Sequence, residues 1–273
     1  RSSHLIIINS SMNSTPVSRL RGKRALVTAG AQGIGAAITR ALLEAGCAVY
    51  VHYRSSRTEA EALIAAGRTL GIACVAGAAD LTVPGESERM VAESVATLGG
   101  LDVLINNAGS LVARRTLAEG DEAFWEEVMA LNLSTLRRVT RAAAPHLIAS
   151  AAQAGGASVV NLASLAGRKG GHGGSLAYST AKGAVLTFTR ALAQELGPQG
   201  VRVNAVAPGL ILGTSFHTTH TTPESAQATI AGIPIRRAGT PEDVARAVVF
   251  LAGEFDGFIS GATLDINGGV YSA

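Results

Sequence analysis

Residues Arg24–Gly35, with the sequence RALVTAGAQGIG, join a short apolar run to a glycine-rich turn. Arg24–Thr28 has the aliphatic character of a buried strand, and apolar residues then recur at i, i+3, i+4 and i+7 from Ile38, which predicts one face of a helix. Glycines between a strand and a helix let the backbone approach a diphosphate, and the free N–H groups of the helix N-terminus attract its charge. The stretch therefore predicts a dinucleotide-binding unit. The alternative is a turn in which glycine only supplies positive φ angles.

The same order of a short apolar run and a longer helical stretch recurs along the chain. It predicts seven strands, at about residues 24–28, 48–53, 73–79, 101–106, 158–163, 201–207 and 263–266, and six helices. Strands joined by helical crossovers form a parallel sheet that binds ligands at the carboxyl ends of its strands. We expect a single-domain α/β fold of the Rossmann type, with a doubly wound, seven-stranded parallel sheet and helices on both faces. Within the long helical stretch 122–152, Pro145 predicts a kink or a break.

Composition excludes several classes of protein. The 273 residues are 47% hydrophobic and 16% charged, so a disordered chain is excluded. The net charge is +3 and no basic tract is present, which argues against a nucleic-acid partner. Two cysteines, Cys47 and Cys74, make neither a disulfide framework nor a zinc site and favour a reducing compartment, so we expect a cytoplasmic protein.

The first twenty residues differ in composition from the remainder of the chain. They are rich in Ser and Asn, and their apolar run Leu5–Asn9 is too short to span a membrane or to form a signal-peptide core. We expect residues 1–20 to be a disordered tail or a cloning remnant. Residues 21–273 are expected to form a single dinucleotide-binding catalytic domain without a membrane partner.

The end of the second predicted strand bears on the choice of dinucleotide. It reads His52-Tyr53-Arg54-Ser55-Ser56 and contains no acidic residue. An NAD site usually places Asp or Glu here to bind the ribose 2′-hydroxyl, whereas arginine and serine can bind a 2′-phosphate. The segment predicts a preference for NADPH, with NADH still possible. The alternative is that Arg54 is a solvated loop charge.

Tyr178 and Lys182 lie i, i+4 in the long helix predicted after the fifth strand, and therefore on one helix face. A nearby ammonium lowers the pKa of a tyrosine from its usual value near 10, which suits proton exchange. Ser164 ends the fifth strand, where a hydroxyl faces the cleft and can bond a substrate oxygen. By itself the tyrosine and lysine spacing is common among surface pairs.

Together these motifs resemble the short-chain dehydrogenase/reductase family. The turn from Thr28 to Gly35 is close to the family pattern T-G-x-x-x-G-x-G, with Ala29 at its first glycine. The chain also has N-N-A-G at 106–109 and Pro208-Gly209 after the sixth strand. The family's catalytic tetrad is matched in order by Asn132, Ser164, Tyr178 and Lys182. The resemblance covers about residues 22–269.

The resemblance implies hydride transfer between a nicotinamide and a carbonyl or secondary alcohol. Tyr178 would donate the proton, Ser164 would orient the substrate oxygen, Lys182 would tune Tyr178 and bind the nicotinamide ribose, and Asn132 would support a water relay. The implied cofactor-binding residues are Gly30, Gln32, Gly33, Ile34, Gly35, Tyr53, Arg54, Ser55, Ser56, Asp80, Leu81, Asn107, Ala108, Gly109, Tyr178, Lys182, Pro208, Gly209 and Ile211. A substrate lid at about residues 210–239 and a homotetramer are also expected.

Two residue types in the predicted lid raise separate questions. Thr214 lies one residue further from Pro208-Gly209 than the family's carboxamide-binding threonine, so this role is not assigned to it. The lid also carries Phe216, His217 and His220. Because no Cys or carboxylate stands at ligand spacing from the histidines, we expect no metal site.

Two branches of the family are similar to this chain. Reductases of 4-deoxy-5-hexoseulose uronate are matched at Leu104–Ala113 with Arg114, at Thr214–His217 and at Asp265–Gly269 with Tyr271. Reductases of 3-oxoacyl thioesters are matched at Arg237–Ala245 and at Asp265, Gly268 and Gly269. Four basic residues near the cleft mouth either bind a substrate carboxylate or phosphate or are solvated loop charges; they are Arg114, Arg115, Arg168 and Lys169. We expect a small polar keto acid or a sugar-derived uronate as the carbonyl substrate. The alternatives are a 3-oxoacyl-thioester reductase and an NADP-binding regulatory protein without turnover.

Overall fold

The computed structural model describes residues 18–214, 219, 222–253 and 257–272. Within these residues the strands form one parallel sheet in the order β3-β2-β1-β4-β5-β6-β7. The strands are β1 (Arg24–Val27), β2 (Ala48–Tyr53), β3 (Cys74–Ala78), β4 (Val103–Asn106), β5 (Ala157–Leu162), β6 (Val201–Pro208) and β7 (Thr263–Ile266). The predicted doubly wound α/β fold is confirmed.

Helices cover both faces of this sheet. They are α1 (Gly33–Glu44), α2 (Arg57–Leu70), α3 (Glu86–Leu98), α4 (Glu122–Met129), α5 (Thr135–Ala154), α6 (Leu165–Lys169), α7 (Leu176–Leu196), α8 (Pro223–Ala231) and α9 (Pro241–Gly253). One buried cluster packs α1, α2 and α9 on the sheet through residues such as Leu42, Leu63 and Val248. A second cluster packs α3, α5 and α7 on the opposite face, with Met90 and Leu147 among its members.

The long helical stretch after β4 is interrupted at a different place from the one predicted. A π-helical segment, Ala130–Ser134, separates α4 from α5, and α5 continues through Pro145. The amide of Asn132 in this segment donates to the carbonyl of Val128 at 2.9 Å and to that of Ser110 at 2.8 Å. The wider turn thus places a buried polar side chain against the loop that follows β4.

The folded region begins before the predicted boundary at residue 20. Ser18–Leu20 forms a short 3-10 helix, and the side chain of Leu20 is fully buried in the first core cluster. The remainder of the predicted tail, residues 1–17, lies outside the described residues. None of the described helices is long and apolar enough to cross a membrane.

The predicted lid contains a helix that its weak periodicity did not reveal. α8 begins after Thr222, whose hydroxyl accepts a hydrogen bond of 3.2 Å from the backbone N–H of Ser225. Residues 215–218 and 220–221 lie outside the described residues, and with them the predicted lid residues Phe216, His217 and His220.

The sheet order creates the place for a ligand. β1 lies beside β2 on one side and beside β4 on the other, with Val27 in register with both Val51 and Ile105. The chain segments that leave β1 and β4 therefore pass to opposite faces of the sheet. A crevice opens between them, at the carboxyl ends of the strands.

Candidate active site at the carboxyl ends of the strands

A cavity of about 1050 Å³ lies over the carboxyl ends of the strands. It is lined by most of the residues that the sequence predicted to be functional. These are Gln32, Gly33, Ile34, Gly35, Tyr53, Arg54, Ser55, Ser56, Asp80, Leu81, Asn107, Ala108, Gly109, Ser164, Tyr178, Lys182, Pro208, Gly209 and Ile211. Gly30 and Asn132 are not part of the lining. They lie behind it, where Gly30 donates to the carbonyl of His52 and Asn132 holds the loop at Ser110.

The glycine-rich turn brings free backbone donors to the cavity. α1 begins after Gln32, whose side chain does not cap the helix and instead donates to Glu59 at 3.1 Å. The first turn of α1 contains no acidic residue, so its N–H groups and the helix dipole favour an anion. The residues present therefore fit the diphosphate of a dinucleotide.

Close packing of the turn depends on Gly35. A Cβ atom at this position would lie 2.1 Å from the carbonyl oxygen of Ala29 and 2.7 Å from the side-chain nitrogen of Asn107. Asn107 donates to the carbonyls of Thr28 and Ala29, each at 3.0 Å. The hydroxyl of Thr28 accepts from the backbone N–H of Asn107 at 2.9 Å. The loops after β1 and β4 are thus joined side by side under the cavity.

The two asparagines at the carboxyl end of β4, Asn106 in the strand and Asn107 after it, have different surroundings. The Asn107 side chain bonds the glycine-rich turn, as described above. Asn106 is buried and donates to Thr140 and Asn161, each at 2.9 Å. Asn106 therefore ties the sheet to α5, while Asn107 shapes the cavity.

Ser164, Tyr178 and Lys182 come together at the end of β5. Ser164 and Tyr178 share a side-chain hydrogen bond. The Lys182 ammonium donates to the carbonyl of Leu162 at 2.7 Å and lies 5.8 Å from the centre of the Tyr178 ring. Ser164 lies two residues after β5, at the N-cap of α6, where its hydroxyl accepts from the backbone N–H of Ala166 at 3.1 Å. Because Tyr178 and Lys182 lie one helical turn apart on α7, the three groups share one region of the cavity wall.

Burial governs the ionisation of these groups. Burial raises the pKa of the Tyr178 phenol, and the hydrogen bond with Ser164 acts in the opposite direction. Burial also lowers the pKa of the Lys182 ammonium to about 8. The pKa of Tyr178 is thus raised overall, and the hydrogen bond with Ser164 is the effect that opposes burial. That Lys182 tunes Tyr178 stays a prediction. At neutral pH the phenol is protonated and can donate a proton.

Asn132 supports this region from behind. Its side-chain oxygen accepts from the backbone N–H of Ser110 at 3.1 Å. A Cβ atom at Gly109 would lie 2.7 Å from that oxygen and 3.0 Å from the Lys182 nitrogen. The loop after β4 therefore passes close to both side chains. A water relay through Asn132 stays a prediction.

The four basic residues predicted at the cleft mouth divide into two pairs. Arg168 is paired with Asp265 at 3.1 Å, and Arg115 approaches Asp121 at 3.9 Å and lies over the ring of Phe124. These two do not line the cavity, so they are not placed to bind a substrate anion. Arg114 and Lys169 do line it.

Several lining residues were not predicted, among them His52, His172 and Leu111, and a sequence signal existed for His52. His52 is a single histidine within a buried apolar strand, which is an unusual position for an imidazole. His172 and Leu111 also line the cavity, but they lie in loops without a distinctive pattern.

Thr214 does reach the cavity despite its spacing. It lines the cavity wall and lies over Gly33, where an added Cβ atom would be 3.4 Å from its methyl group. Among the described residues no group of three His, Cys, Asp or Glu side chains is arranged to hold a metal ion.

Comparison with known proteins identifies the family. Residues 28–271 match the family model described as Enoyl-(Acyl carrier protein) reductase. The chain belongs to the short-chain dehydrogenase/reductase family. Nodulation protein G of Azospirillum brasilense is 38% identical over 91% of this chain and 98% of that protein. The 3-oxoacyl-[acyl-carrier-protein] reductase FabG of Staphylococcus aureus is 35% identical over 91% of this chain and 98% of that protein.

Solved structures of this family have the same architecture. The NADH-dependent reductase A1-R′, responsible for alginate metabolism, is 34% identical, with a TM-score of 0.86 over 94% of this chain and all of that one. A blue fluorescent protein from a metagenomic library, in complex with NADPH, is 32% identical, with a TM-score of 0.85 over 93% of this chain and all of that one. This short-chain dehydrogenase/reductase is an oxidoreductase, and both nicotinamide cofactors occur among its structural neighbours.

Proposed function

We propose that this short-chain dehydrogenase/reductase reduces the carbonyl group of a small polar keto acid, with NADPH as the preferred cofactor. The observation that carries the proposal is the hydrogen-bonded pair of Ser164 and Tyr178 in the cavity wall, with Lys182 beside it. When bound, a reduced nicotinamide supplies the hydride. The side chains of this protein orient the substrate and transfer the proton.

Each catalytic group has a separate role toward the substrate oxygen. The Ser164 hydroxyl orients the carbonyl oxygen, and Tyr178 donates its proton to the alkoxide that forms. Burial keeps the phenol protonated, which is the state that a proton donor requires. The positive charge of Lys182 stabilises the tyrosinate that remains after transfer, and a water relay supported by Asn132 brings the replacement proton from bulk solvent.

The preference for NADPH rests on the end of β2. Arg54, Ser55 and Ser56 line the cavity there, and Arg54 is exposed. A guanidinium and two hydroxyls match the oxygens of a 2′-phosphate. β2 ends without a carboxylate at residues 52–56, and Glu59 contacts Gln32 and lies outside the cavity lining.

The preference for a keto acid rests on Arg114 and Lys169. Both line the cavity. Lys169 ends α6, and the segment that follows it is joined to the loop of Arg114: the backbone N–H of Arg115 donates to the carbonyl of Gly174 at 2.9 Å, and the Arg114 guanidinium donates to that of Gly173 at 3.3 Å. Two cations on these joined segments give the substrate end of the cavity a positive potential. The likeness to A1-R′, a reductase of alginate metabolism, points the same way.

A second candidate is a 3-oxoacyl-thioester reductase. It is favoured by the 35% identity to FabG over 91% of the chain. A regulatory protein without turnover is disfavoured, because Tyr178 and Lys182 are both retained.

Steady-state rates test these alternatives. They are measured with NADPH and with NADH on a keto-uronate, an acetoacetyl thioester and a neutral diketone. We expect turnover with all three classes of carbonyl and the highest kcat/KM for the keto-uronate with NADPH. A higher kcat/KM for the thioester would assign the second function, and cofactor binding without turnover would assign a regulator.

We further propose a cytoplasmic homotetramer. Cys47 and Cys74 are free and buried, as expected in a reducing compartment. Phe258 is fully exposed, and β7 lies at an edge of the described sheet, so apolar and hydrogen-bonding surface remains for another copy. Light scattering coupled to gel filtration tests this, and a mass of one chain would contradict it.

A further inference from the structure

One residue of β2 holds the glycine-rich turn through both its ring and its main chain. The backbone N–H of Ala29 donates to Nδ1 of His52 at 3.0 Å. The backbone N–H of Gly30 donates to the carbonyl of His52 at 2.8 Å. The imidazole is buried, with 3% of its surface exposed. Two consecutive residues of the turn are therefore fixed by His52.

The second ring nitrogen determines the protonation state. Nε2 of His52 lies 3.0 Å from the carbonyl oxygen of Ala79, which can only accept a hydrogen bond. Nε2 must then carry the hydrogen, and Nδ1 is left as the acceptor that the N–H of Ala29 needs. The arrangement requires a neutral ring. Burial lowers the pKa of His52 and favours that state, although the hydrogen bond to Ala79 and the charge of Asp80 act in the opposite direction.

Ala29 is the residue that most needs such support. Its φ angle is +48°, in the left-handed region that alanine disfavours. The chain has alanine where the pattern of its family has glycine, so the backbone alone does not favour this conformation. The Ala29 carbonyl is also fixed, because it accepts from Asn107 and packs against Gly35.

The geometry leads to a role for His52 in cofactor binding. We propose that His52 is a positioning residue: its neutral ring holds Ala29 in the left-handed conformation that directs the N–H groups at the start of α1 into the cavity. It thereby supplies the conformational preference that a glycine at position 29 would have provided. The inference rests on the proposal above that a dinucleotide binds at this turn. It adds His52 to the residues that determine cofactor affinity, although His52 would act through Ala29 and not through the dinucleotide phosphates.

Two substitutions separate the functions of the two ring nitrogens. The side-chain oxygen of asparagine reaches the place of Nδ1, so His52→Asn keeps an acceptor for Ala29. The side-chain nitrogen of glutamine reaches the place of Nε2, so His52→Gln keeps only the donor to Ala79. The dissociation constant of NADPH is measured by fluorescence at about pH 8, where the 2′-phosphate is fully ionised, and Tm is recorded for each variant.

We expect His52→Gln to weaken NADPH binding by about threefold to tenfold, the value of one hydrogen bond, and His52→Asn by less than about twofold. In an Ala29→Gly background, His52→Gln is expected to weaken binding by less than about twofold, because glycine adopts this conformation unaided. A lower Tm with unchanged NADPH affinity would reduce His52 to a structural residue and overturn the inference.

The remaining outcomes are also decisive. An equal loss of affinity in both backgrounds would overturn the inference, and so would an equal loss in the Asn and Gln variants. If His52→Gln folds only together with Ala29→Gly, the rescue supports the inference; if it unfolds in both backgrounds, the inference fails. Wild-type protein that binds no nicotinamide cofactor would overturn the proposed function itself, which separates the two failures.

Discussion

The Lys182 ammonium lies 5.8 Å from the centre of the Tyr178 ring and donates its hydrogen bond to the carbonyl of Leu162, while the Tyr178 phenol bonds to Ser164. A hydroxyl and a phenol are therefore paired in the cavity wall, with a cation to one side. In the proposed reaction Tyr178 donates the proton and Lys182 stabilises the charge, and the two residues can be tested separately.

Removal of the phenol oxygen tests the first role. Tyr178→Phe is expected to lower kcat for carbonyl reduction by about 10²–10⁴-fold, because a positioned proton donor contributes that much to catalysis. NADPH affinity and Tm are expected to stay near the wild-type values. Tyr50→Phe removes the same atom from a buried strand residue outside the cavity lining and serves as the control. A Tyr178→Phe variant with a near wild-type rate would remove Tyr178 from the mechanism.

Removal of the lysine charge tests the cost of keeping it buried. Lys182 has a pKa of about 8 in the folded protein and 10.5 as its reference value, so below pH 8 folding carries a buried charge. Lys182→Met is expected to raise the free energy of unfolding at neutral pH by about 1–2 kcal/mol, after loss of the bond to Leu162 is allowed for.

The sign of the pH dependence follows from the same shift. Between pH 8 and 10.5 the unfolded chain binds more protons at Lys182 than the folded chain does, so wild-type stability rises with pH in that window. The advantage of Lys182→Met over wild type should therefore shrink as pH rises. Urea unfolding of both proteins at several pH values measures the difference in their free energies of unfolding. A difference that does not change with pH would contradict the lowered pKa of Lys182.

Much of the fold could be predicted because local signals determine it. The helix Glu86–Leu98 has the predicted ends, since Gly99 stops it in a left-handed conformation at φ +76°. The break after Met129 could not be predicted, because a π-helical segment departs from the 3.6-residue period that the prediction uses. Pro145 gave a false signal, since α5 passes through it.

The site was predictable in its residues more than in its electrostatics. Motif spacing placed Ser164, Tyr178 and Lys182 together, because strand ends and a helical i, i+4 spacing fix their positions. The pairing of Arg168 with Asp265 joins residues 97 positions apart, and no local pattern reveals it. The opposing effects of burial and hydrogen bonding on Tyr178 likewise depend on packing between elements that are distant in sequence.

The end of β2 provides a test of cofactor preference. Arg54→Gln is expected to lower kcat/KM for NADPH by about 10–100-fold and to leave that for NADH unchanged, since a charge-assisted bond to the 2′-phosphate is lost only with NADPH. Arg57→Gln is the matched control, because Arg57 is paired with Glu61 at 2.9 Å and does not line the cavity. Equal losses with both cofactors would place Arg54 away from the 2′-phosphate.

The substrate end of the cavity provides the test of the keto-acid proposal. Arg114→Gln removes one of the two lining cations, so KM for the keto-uronate should rise by about tenfold or more, while KM for a neutral diketone stays constant. Arg115→Gln changes the net charge equally, but Arg115 is directed to Asp121 and Phe124 and should leave both values unchanged. If Arg114→Gln raises KM for the two substrates by the same factor, the guanidinium supports the loop at Gly173 and does not bind an anionic group. A substrate without a negative charge would then be favoured.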